Sequence, residues 1–178
     1  MIIFLGIAGS GKSLQAKLLA QSLNCDYLSL GELLRKNSAA NDQDKLLKGE
    51  LIPDSKVIPI ISGVLDQIPR GKEFILDGFP RTLKQSKFLT TRFDPRDINI
   101  IHLVVESDVV ISRLRLRNRQ DDNVEAIEHR IKEYERSIQP IIEEFMNKSV
   151  NVFKIDGSGD IETVHEQIIK DLESFKRQ

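Results

Sequence analysis

Residues 6–13, "GIAGSGKS", follow a short apolar run and open a stretch of helical period. They fit the pattern G-x-x-x-x-G-K-[ST] in the strand–loop–helix context that this motif needs. The glycines allow consecutive backbone N–H groups to point at phosphate oxygens, and the helix N-terminus adds a favourable dipole. Lys12 would reach the β- and γ-phosphates, and the Ser13 hydroxyl suits Mg²⁺. The alternative is a glycine-rich turn that only packs a helix on a sheet, but the context favours a nucleoside triphosphate site.

Short apolar runs alternate with longer stretches of helical period along the chain. We predict strands at 2–5, 26–30, 74–76, 98–105 and 150–155. We predict helices at 12–23, 54–68, 82–90, 107–117, 123–147 and 160–175. This alternation predicts an α/β fold with a mostly parallel sheet covered by helices on both faces, and ligands at the carboxyl ends of the strands. Two polar stretches, 35–45 and 117–123, are interpreted as excursions over the surface.

Composition places the chain among single-domain globular proteins. It has 178 residues, of which 40% are hydrophobic, and its net charge of -1 gives no general attraction to nucleic acid or membrane surfaces. The single cysteine, Cys25, excludes an internal disulfide and a cysteine-rich zinc site. The apolar start is too short for a signal peptide, and no run reaches membrane-spanning length. We therefore expect a soluble, cytoplasmic protein without a nucleic-acid or membrane partner.

A second polar motif, "LDGFPRTLKQ" at 76–85, leaves an apolar strand through an acid. Asp77 ends a strand that we expect beside the first one, so its carboxylate can hold Mg²⁺ through water opposite Ser13. A helix cap is the alternative role for an acid at a strand tip. Arg81 and Gln85 follow at helical spacing, and their role depends on what lies between them and the acid.

Five segments, in this order, carry a family resemblance: 6–13, 28–35 ("LSLGELLR"), 49–58 ("GELIPDSKVI"), 76–85 and 119–142. Together they resemble the adenylate kinase and UMP/CMP kinase family of nucleoside monophosphate kinases, in its short-lid form, over almost the whole chain. The resemblance implies a P-loop NTPase fold with five parallel strands. It also implies one domain over 1–178, with a small monophosphate-binding lobe at 31–58 and a truncated lid at 117–123. The activity implied is reversible, Mg²⁺-dependent phosphoryl transfer between ATP and a nucleoside monophosphate, by a monomer without zinc.

The resemblance also implies roles for individual residues. The ATP-binding residues would be Gly9, Ser10, Gly11, Lys12, Ser13, Leu14, Arg113, Arg117 and Gly159. The AMP-binding residues would be Leu30, Arg35, Leu51, Ile52, Pro53, Gly78, Phe79, Pro80, Arg81, Gln85, Arg119 and Arg130. The catalytic residues would be Lys12, Arg81, Arg119 and Arg130, and Mg²⁺ would be held, largely through water, by Ser13 and Asp77. Such a set agrees with the chemistry, because two nucleotides meeting end to end need cations from several directions.

Two residues give conflicting indications of the acceptor base. The Gln85 amide can donate and accept at once, which matches an adenine edge, and the family has glutamine there in AMP kinases. Leu30 fits neither the threonine of adenylate kinases nor the small residue of pyrimidine kinases. We favour AMP as the acceptor, with UMP or CMP as the alternative.

The family pattern is altered in three places. Glu32 replaces an aspartate, the stretch 35–49 is short, and the lid lacks its long insertion. A lid normally expels water from the transferring phosphoryl group. Our hypothesis is that Arg119, Asp121 and Asp122 still close over the phosphates but form a leakier seal.

Three rival functions share part of the pattern. A GTPase switch needs an asparagine-lysine-x-aspartate guanine reader, but "NKSV" at 147–150 ends in valine. A small-metabolite kinase of the shikimate type would lack "DGFPRTLKQ" combined with "RQDDN". A non-catalytic nucleotide sensor would be expected to have lost Lys12, Asp77 or the arginines, and all of them are present.

Overall fold

The computed structural model describes residues 1–37, 40–117 and 123–176. Its strands are β1 (Ile2–Leu5), β2 (Asp26–Ser29), β3 (Phe74–Asp77), β4 (Asn99–Val104) and β5 (Asn151–Asp156). They form one five-stranded sheet in the order β2-β3-β1-β4-β5, and every pairing is parallel. The expected α/β fold with five parallel strands is therefore confirmed.

Eight α-helices and one short 3₁₀ turn (Pro95–Asp97) lie within the described ranges. The helices are α1 (Lys12–Leu23), α2 (Leu30–Asn37), α3 (Ala40–Leu47), α4 (Asp54–Leu65), α5 (Leu83–Arg92), α6 (Ser107–Arg117), α7 (Val124–Asn147) and α8 (Ile161–Lys176). Six of them match the predicted helices to within three residues at either end. None of the helices in the described ranges is long and apolar enough to cross a membrane.

Helices α2 and α3 were not predicted: the stretch 35–45 was interpreted only as an excursion over the surface, and most of its described side chains are exposed, but it is helical. Each helix has eight residues, which is too short for a helical period to stand out in the sequence. Tertiary contacts stabilise them instead. Leu34 of α2 is buried in the core, and Asp42 of α3 is buried while both of its carboxylate oxygens accept hydrogen bonds from Lys56 of α4, at 2.8 and 2.7 Å.

Each face of the sheet is covered by its own set of helices. Side chains alternate across β1, so Ile3 and Leu5 pack on one side against residues of α2, α4, α5 and α7. Ile2 and Phe4 pack on the other side against α1 and α8. Because β1 is buried on both faces, it reads as a continuous apolar run in the sequence.

The order of the strands places the phosphate loop at a switch point. The chain leaves β1 toward β2 and β3 on one side of the sheet and continues to β4 and β5 on the other. In such sheets ligands bind where the two directions of winding meet, beyond the carboxyl ends of the strands. Phe4 pairs with Asp77 across this edge, so the end of β3 lies beside the start of the loop, as expected.

Candidate active site

The phosphate loop joins β1 to α1 through three glycines with positive φ, Gly6, Gly9 and Gly11. Gly9 has φ of 89°, and a Cβ placed on it would lie 2.9 Å from the side chain of Leu114. Gly11 has φ of 90° and caps α1 without a side-chain hydrogen bond, so the first N–H groups of the helix carry no capping side chain. Lys12 begins the helix and donates from Nζ to the carbonyl oxygen of Ile7 at 3.2 Å, within the loop.

Lys12 lies in a strongly electropositive setting. The pKa of Lys12 is lowered from 10.5 to about 8, mainly by burial; Asp77 opposes this shift, and Arg81, Arg117 and Arg130 add to it. The guanidinium groups therefore lie close enough to Lys12 to repel its charge, although they come from three separate segments. A cluster of cations around one ammonium group is unfavourable unless an anion lies between them. The arrangement suits a polyphosphate.

Asp77 is buried at the end of β3, with only 2% of its surface exposed. Its Oδ2 accepts hydrogen bonds from Ser13 Oγ at 2.6 Å and from the Tyr27 hydroxyl at 2.9 Å. Its Oδ1 is also buried but has no hydrogen-bond partner within the described part of the chain. An unpartnered carboxylate oxygen beside a serine hydroxyl is a donor set that fits a hydrated Mg²⁺ ion. Burial and the neighbouring carboxylate raise the pKa of Tyr27, which keeps its hydroxyl protonated.

One cavity of about 730 Å³ brings these groups together with the second half of the predicted site. Its lining includes Lys12, Ser13, Gly31, Arg35, Leu51, Asp77, Gly78, Pro80, Arg81, Arg117 and Arg130. Arg81 donates from Nε to the carbonyl oxygen of Gly78 at 2.9 Å, and Arg130 donates to the carbonyl oxygen of Leu46 at 3.2 Å. Four of the predicted arginines, Arg35, Arg81, Arg117 and Arg130, thus line one shared cavity.

Two of the residues predicted to bind ATP, Arg113 and Gly159, lie together. Arg113 donates to the carbonyl oxygens of Gly157 at 2.8 Å, Ser158 at 3.1 Å and Gly159 at 3.4 Å. The structure therefore shows that Arg113 and Gly159 are in contact, whereas sequence analysis could only predict each of them separately. Leu14 is 44% exposed, on the surface of α1. The binding of ATP by Arg113, Gly159 and Leu14 stays a prediction.

The residues predicted to bind the monophosphate fall into two main groups: those that line the cavity and those that are buried in the hydrophobic core. Leu51, Gly78 and Pro80 line the cavity. Leu30, Ile52 and Phe79 are buried in the hydrophobic core instead, with exposed fractions of 1%, 5% and 0%. Pro53 directly precedes α4 and is exposed. The Phe79–Pro80 peptide bond is cis, as the resemblance suggests.

Gln85 is buried, and it is not among the described residues that line the cavity. Its Oε1 accepts from the backbone N–H of Arg81 at 2.7 Å, and its Nε2 donates to Asp54 Oδ1 at 2.7 Å. Asp54 also accepts from the hydroxyl of Thr82, which caps α5. Because one partner only donates and the other only accepts, the orientation of the amide is fixed.

Residues 47–49, within the segment predicted to form the monophosphate-binding lobe, pack directly on the start of α7. Gly49 has φ of 76°, and a Cβ on it would lie 2.6 Å from the carbonyl oxygen of Ala126. Asn123, which caps α7, donates to the carbonyl oxygen of Leu47 at 3.4 Å. The close approach requires glycine, and it holds this segment beside the helix that carries Arg130.

Arg119, Asp121 and Asp122 lie outside the described residues, so the lid hypothesis stays a prediction. Sequence reasoning missed Tyr27, Asp54 and Tyr134. Tyr134 lines the cavity, and its hydroxyl lies 2.7 Å from His102 Nε2. Burial lowers the pKa of His102 to about 4 and raises that of Tyr134 to about 12. The available signals were a histidine in the mostly apolar strand β4 and a tyrosine on the apolar stripe of α7, because such side chains bring a polar end into a core.

Comparison with known proteins agrees with this geometry. The family model described as "Adenylate kinase" matches residues 4–150. A protein of Prochlorococcus marinus named adenylate kinase is 37% identical, covering 94% of this chain and 95% of its own. Proteins with the same name from Trichodesmium erythraeum (32% identical, 98% of each chain) and Corynebacterium urealyticum (31% identical, 93% of this chain and 94% of its own) are also similar. The chain therefore belongs to the adenylate kinase family.

Proposed function

We propose that this protein catalyses reversible transfer of the γ-phosphoryl group of ATP to AMP, giving two ADP. The observation that carries the proposal is the single cavity in which Lys12 meets guanidinium groups from α2, the 78–81 turn, α6 and α7. Two nucleotides whose phosphates meet there would bring the negative charge that this cluster needs. The names of the relatives favour AMP over UMP or CMP as the acceptor.

The mechanism needs positioning and charge stabilisation more than proton transfer. The acceptor phosphate has a second pKa near 6, so it is largely a dianion at neutral pH and attacks without a general base. Lys12, Arg81 and Arg130 would stabilise the charge on the transferring group, and Arg117 would hold the triphosphate. The described residues that fit Mg²⁺ are Ser13 and Asp77. When bound, the ion supplies further neutralisation of phosphate charge.

We propose that the Gln85 amide selects the acceptor base. In the orientation fixed by Asp54 and Arg81, the free positions of the amide are one N–H and one oxygen lone pair. An oxygen that accepts from an exocyclic amino group, beside an N–H that donates to a ring nitrogen, matches adenine, and it also matches cytosine, so the amide would select these bases against hypoxanthine and uracil. The inverted pattern of hypoxanthine or uracil would require the amide to turn over. Arg81, whose backbone N–H donates to Gln85, lines the cavity. A small shift of this part of the cavity wall would therefore bring the Gln85 amide to the base.

The test is a direct assay of nucleoside diphosphate formation from MgATP with AMP, CMP or UMP as the acceptor. We expect AMP to be used with the highest kcat/KM. In Lys12→Met the rate should fall at least about 100-fold, because a charge that stabilises the transition state is lost. A folded protein that binds ATP but forms no diphosphate with any monophosphate would instead be a nucleotide sensor.

We also propose that the protein acts as a monomer in the cytoplasm. The net charge of -1 and the single cysteine support the cytoplasm, since they indicate no attraction to anionic membranes and no oxidising compartment, and the monomer rests on the family resemblance. Light scattering with and without nucleotides measures the molar mass, and a value near 40 kDa, roughly twice that of one chain, would contradict the monomer.

A further inference from the structure

We infer that Tyr27 is a positioning residue for the magnesium site: its hydroxyl holds the Asp77 carboxylate so that Oδ1 faces the metal. The inference rests on the proposed function, because that function makes Ser13 and Asp77 the side chains of the Mg²⁺ site.

The hydrogen bonds on Asp77 are unevenly divided between its two oxygens. Oδ2 receives both donors, the Ser13 hydroxyl at 2.6 Å and the Tyr27 hydroxyl at 2.9 Å. Oδ1 receives none from the described part of the chain, although it is buried. A rotation of the carboxylate would break two hydrogen bonds at once, so the pair of donors fixes which oxygen is left for another ligand. Outer hydrogen bonds of this kind orient the ligands of metal sites in proteins.

The register of the sheet brings Tyr27 to this position. Tyr27 pairs with Ile75 across the parallel strands β2 and β3, and Ser29 pairs with Asp77. Tyr27, Ile75 and Asp77 therefore share one face of the sheet, which is the face covered by α1. Ser13 lies in the first turn of α1, so the two donors approach Asp77 from a strand and from a helix.

The ring of Tyr27 is held from outside by a charged pair. Lys17 Nζ lies 5.2 Å from the ring centroid and 3.1 Å from Glu32 Oε1. Both charged side chains are about half exposed, so the ion pair adds little stability. Its contribution is geometric, because it fixes the ammonium group over the ring. The longer glutamate at position 32, noted above as a departure from the family pattern, is the side chain that makes this contact.

A purely packing role for Tyr27 makes a different prediction from a positioning role. Phenylalanine retains the ring, its contact with Lys17 and nearly all of its buried surface, but it removes the donor to Asp77. Tyr27→Phe therefore separates the two roles. Thr91→Ala is the control, because it deletes an exposed hydroxyl on α5 that bonds the carbonyl oxygen of Lys87, and Thr91 is not among the described residues that line the cavity.

The experiment measures metal binding without turnover. Mn²⁺ is titrated, with electron paramagnetic resonance of the free ion, into the protein saturated with the β,γ-methylene analogue of ATP. We expect the Mn²⁺ dissociation constant to rise by about 10-fold or more in Tyr27→Phe and to stay unchanged in Thr91→Ala. The affinity for the analogue in EDTA should be the same in all three proteins. A folded Tyr27→Phe protein whose Mn²⁺ affinity matches the unmutated protein would overturn the inference.

A second measurement does not depend on whether Tyr27→Phe folds. The chain has two tyrosines and no tryptophan, so Tyr27 is the sole tyrosine of Tyr134→Phe. Adding Mg²⁺ to that variant with the analogue bound should give a tyrosine difference spectrum in the near ultraviolet, as the hydrogen bond to Asp77 changes. Absence of this signal at saturating Mg²⁺ would also overturn the inference. Failure of the proposed function would be seen separately. The unmutated protein would then form no ADP, whatever its affinity for the metal.

Discussion

The orientation of the Gln85 amide gives a sharp prediction about the acceptor base. The perturbation is Asp54→Asn, which keeps the shape of the side chain but lets it donate as well as accept a hydrogen bond. IMP is the informative competitor of AMP, because its base has an oxygen where adenine has an amino group and an N–H where adenine has an acceptor. To pair with IMP, the amide of Gln85 would have to turn over.

The size of the effect follows from the two hydrogen bonds on Gln85. Turning the amide over would place its oxygen against the Asp54 carboxylate and its NH₂ group against the N–H of Arg81. Each mismatch of buried polar groups costs about 1–3 kcal/mol, so the pair costs about 3 kcal/mol, which is a factor of about 100. In Asp54→Asn one mismatch disappears, and the preference for AMP over IMP should fall to about 10-fold.

The assay compares kcat/KM for AMP and IMP with MgATP held at saturation. The matched control is Asp66→Asn, the same substitution at the end of α4, where the carboxylate is 63% exposed and pairs with Arg92. The control should leave the AMP to IMP ratio unchanged. The ratio is the informative quantity, because a general loss of stability would lower both activities together.

Two outcomes would refute the reasoning. If the unmutated protein prefers AMP over IMP by less than about 10-fold, the amide is not held in one orientation. If the preference is large but the same in Asp54→Asn, then Asp54 does not control that orientation and another group does.

Further predictions concern pH, packing and the lid. Burial and Lys154 lower the pKa of His102 to about 4. The unfolded chain binds this proton near pH 6.5, so the free energy of unfolding should fall by about 2 kcal/mol as pH drops toward 4, allowing for partial exposure. Urea titrations at several pH values give the free energy of unfolding, which should depend less steeply on pH in His102→Gln than in the unmutated protein. An equal dependence on pH would contradict the assignment. Gly49→Ala should cost about 3 kcal/mol, because it combines left-handed backbone with a Cβ 2.6 Å from the oxygen of Ala126. Gly71→Ala, with φ of 78° and nothing within 4 Å, should cost about 1 kcal/mol, and equal losses would show that close packing is unimportant. Finally, the ratio of ATP hydrolysis to ADP formation should exceed that of a long-lid relative, and a ratio no higher would remove the leaky-seal hypothesis.

Several features could be predicted from the sequence because they depend on neighbouring residues. The phosphate loop is specified by glycines at fixed offsets and by Lys12 and Ser13 directly after them. The buried strands are continuous apolar runs, and the long helix α7 repeats apolar residues every three or four positions, so both are visible in the sequence. The alternation of these elements predicts a parallel sheet, and that sheet places Asp77 beside the loop.

Other features were decided only by the tertiary structure. The partners of Asp77 and Gln85 include Tyr27 and Asp54, which lie 50 and 31 residues away along the chain. The close approach of Gly49 to Ala126 joins segments that nothing in either local pattern connects. Helices α2 and α3 are stabilised by core and ion-pair contacts rather than by their own propensity. The physical reason is the same in each case. A local pattern fixes which groups a segment offers, but hydrogen-bond partners and close contacts depend on how distant segments are brought together by the register of the sheet and the packing of the helices.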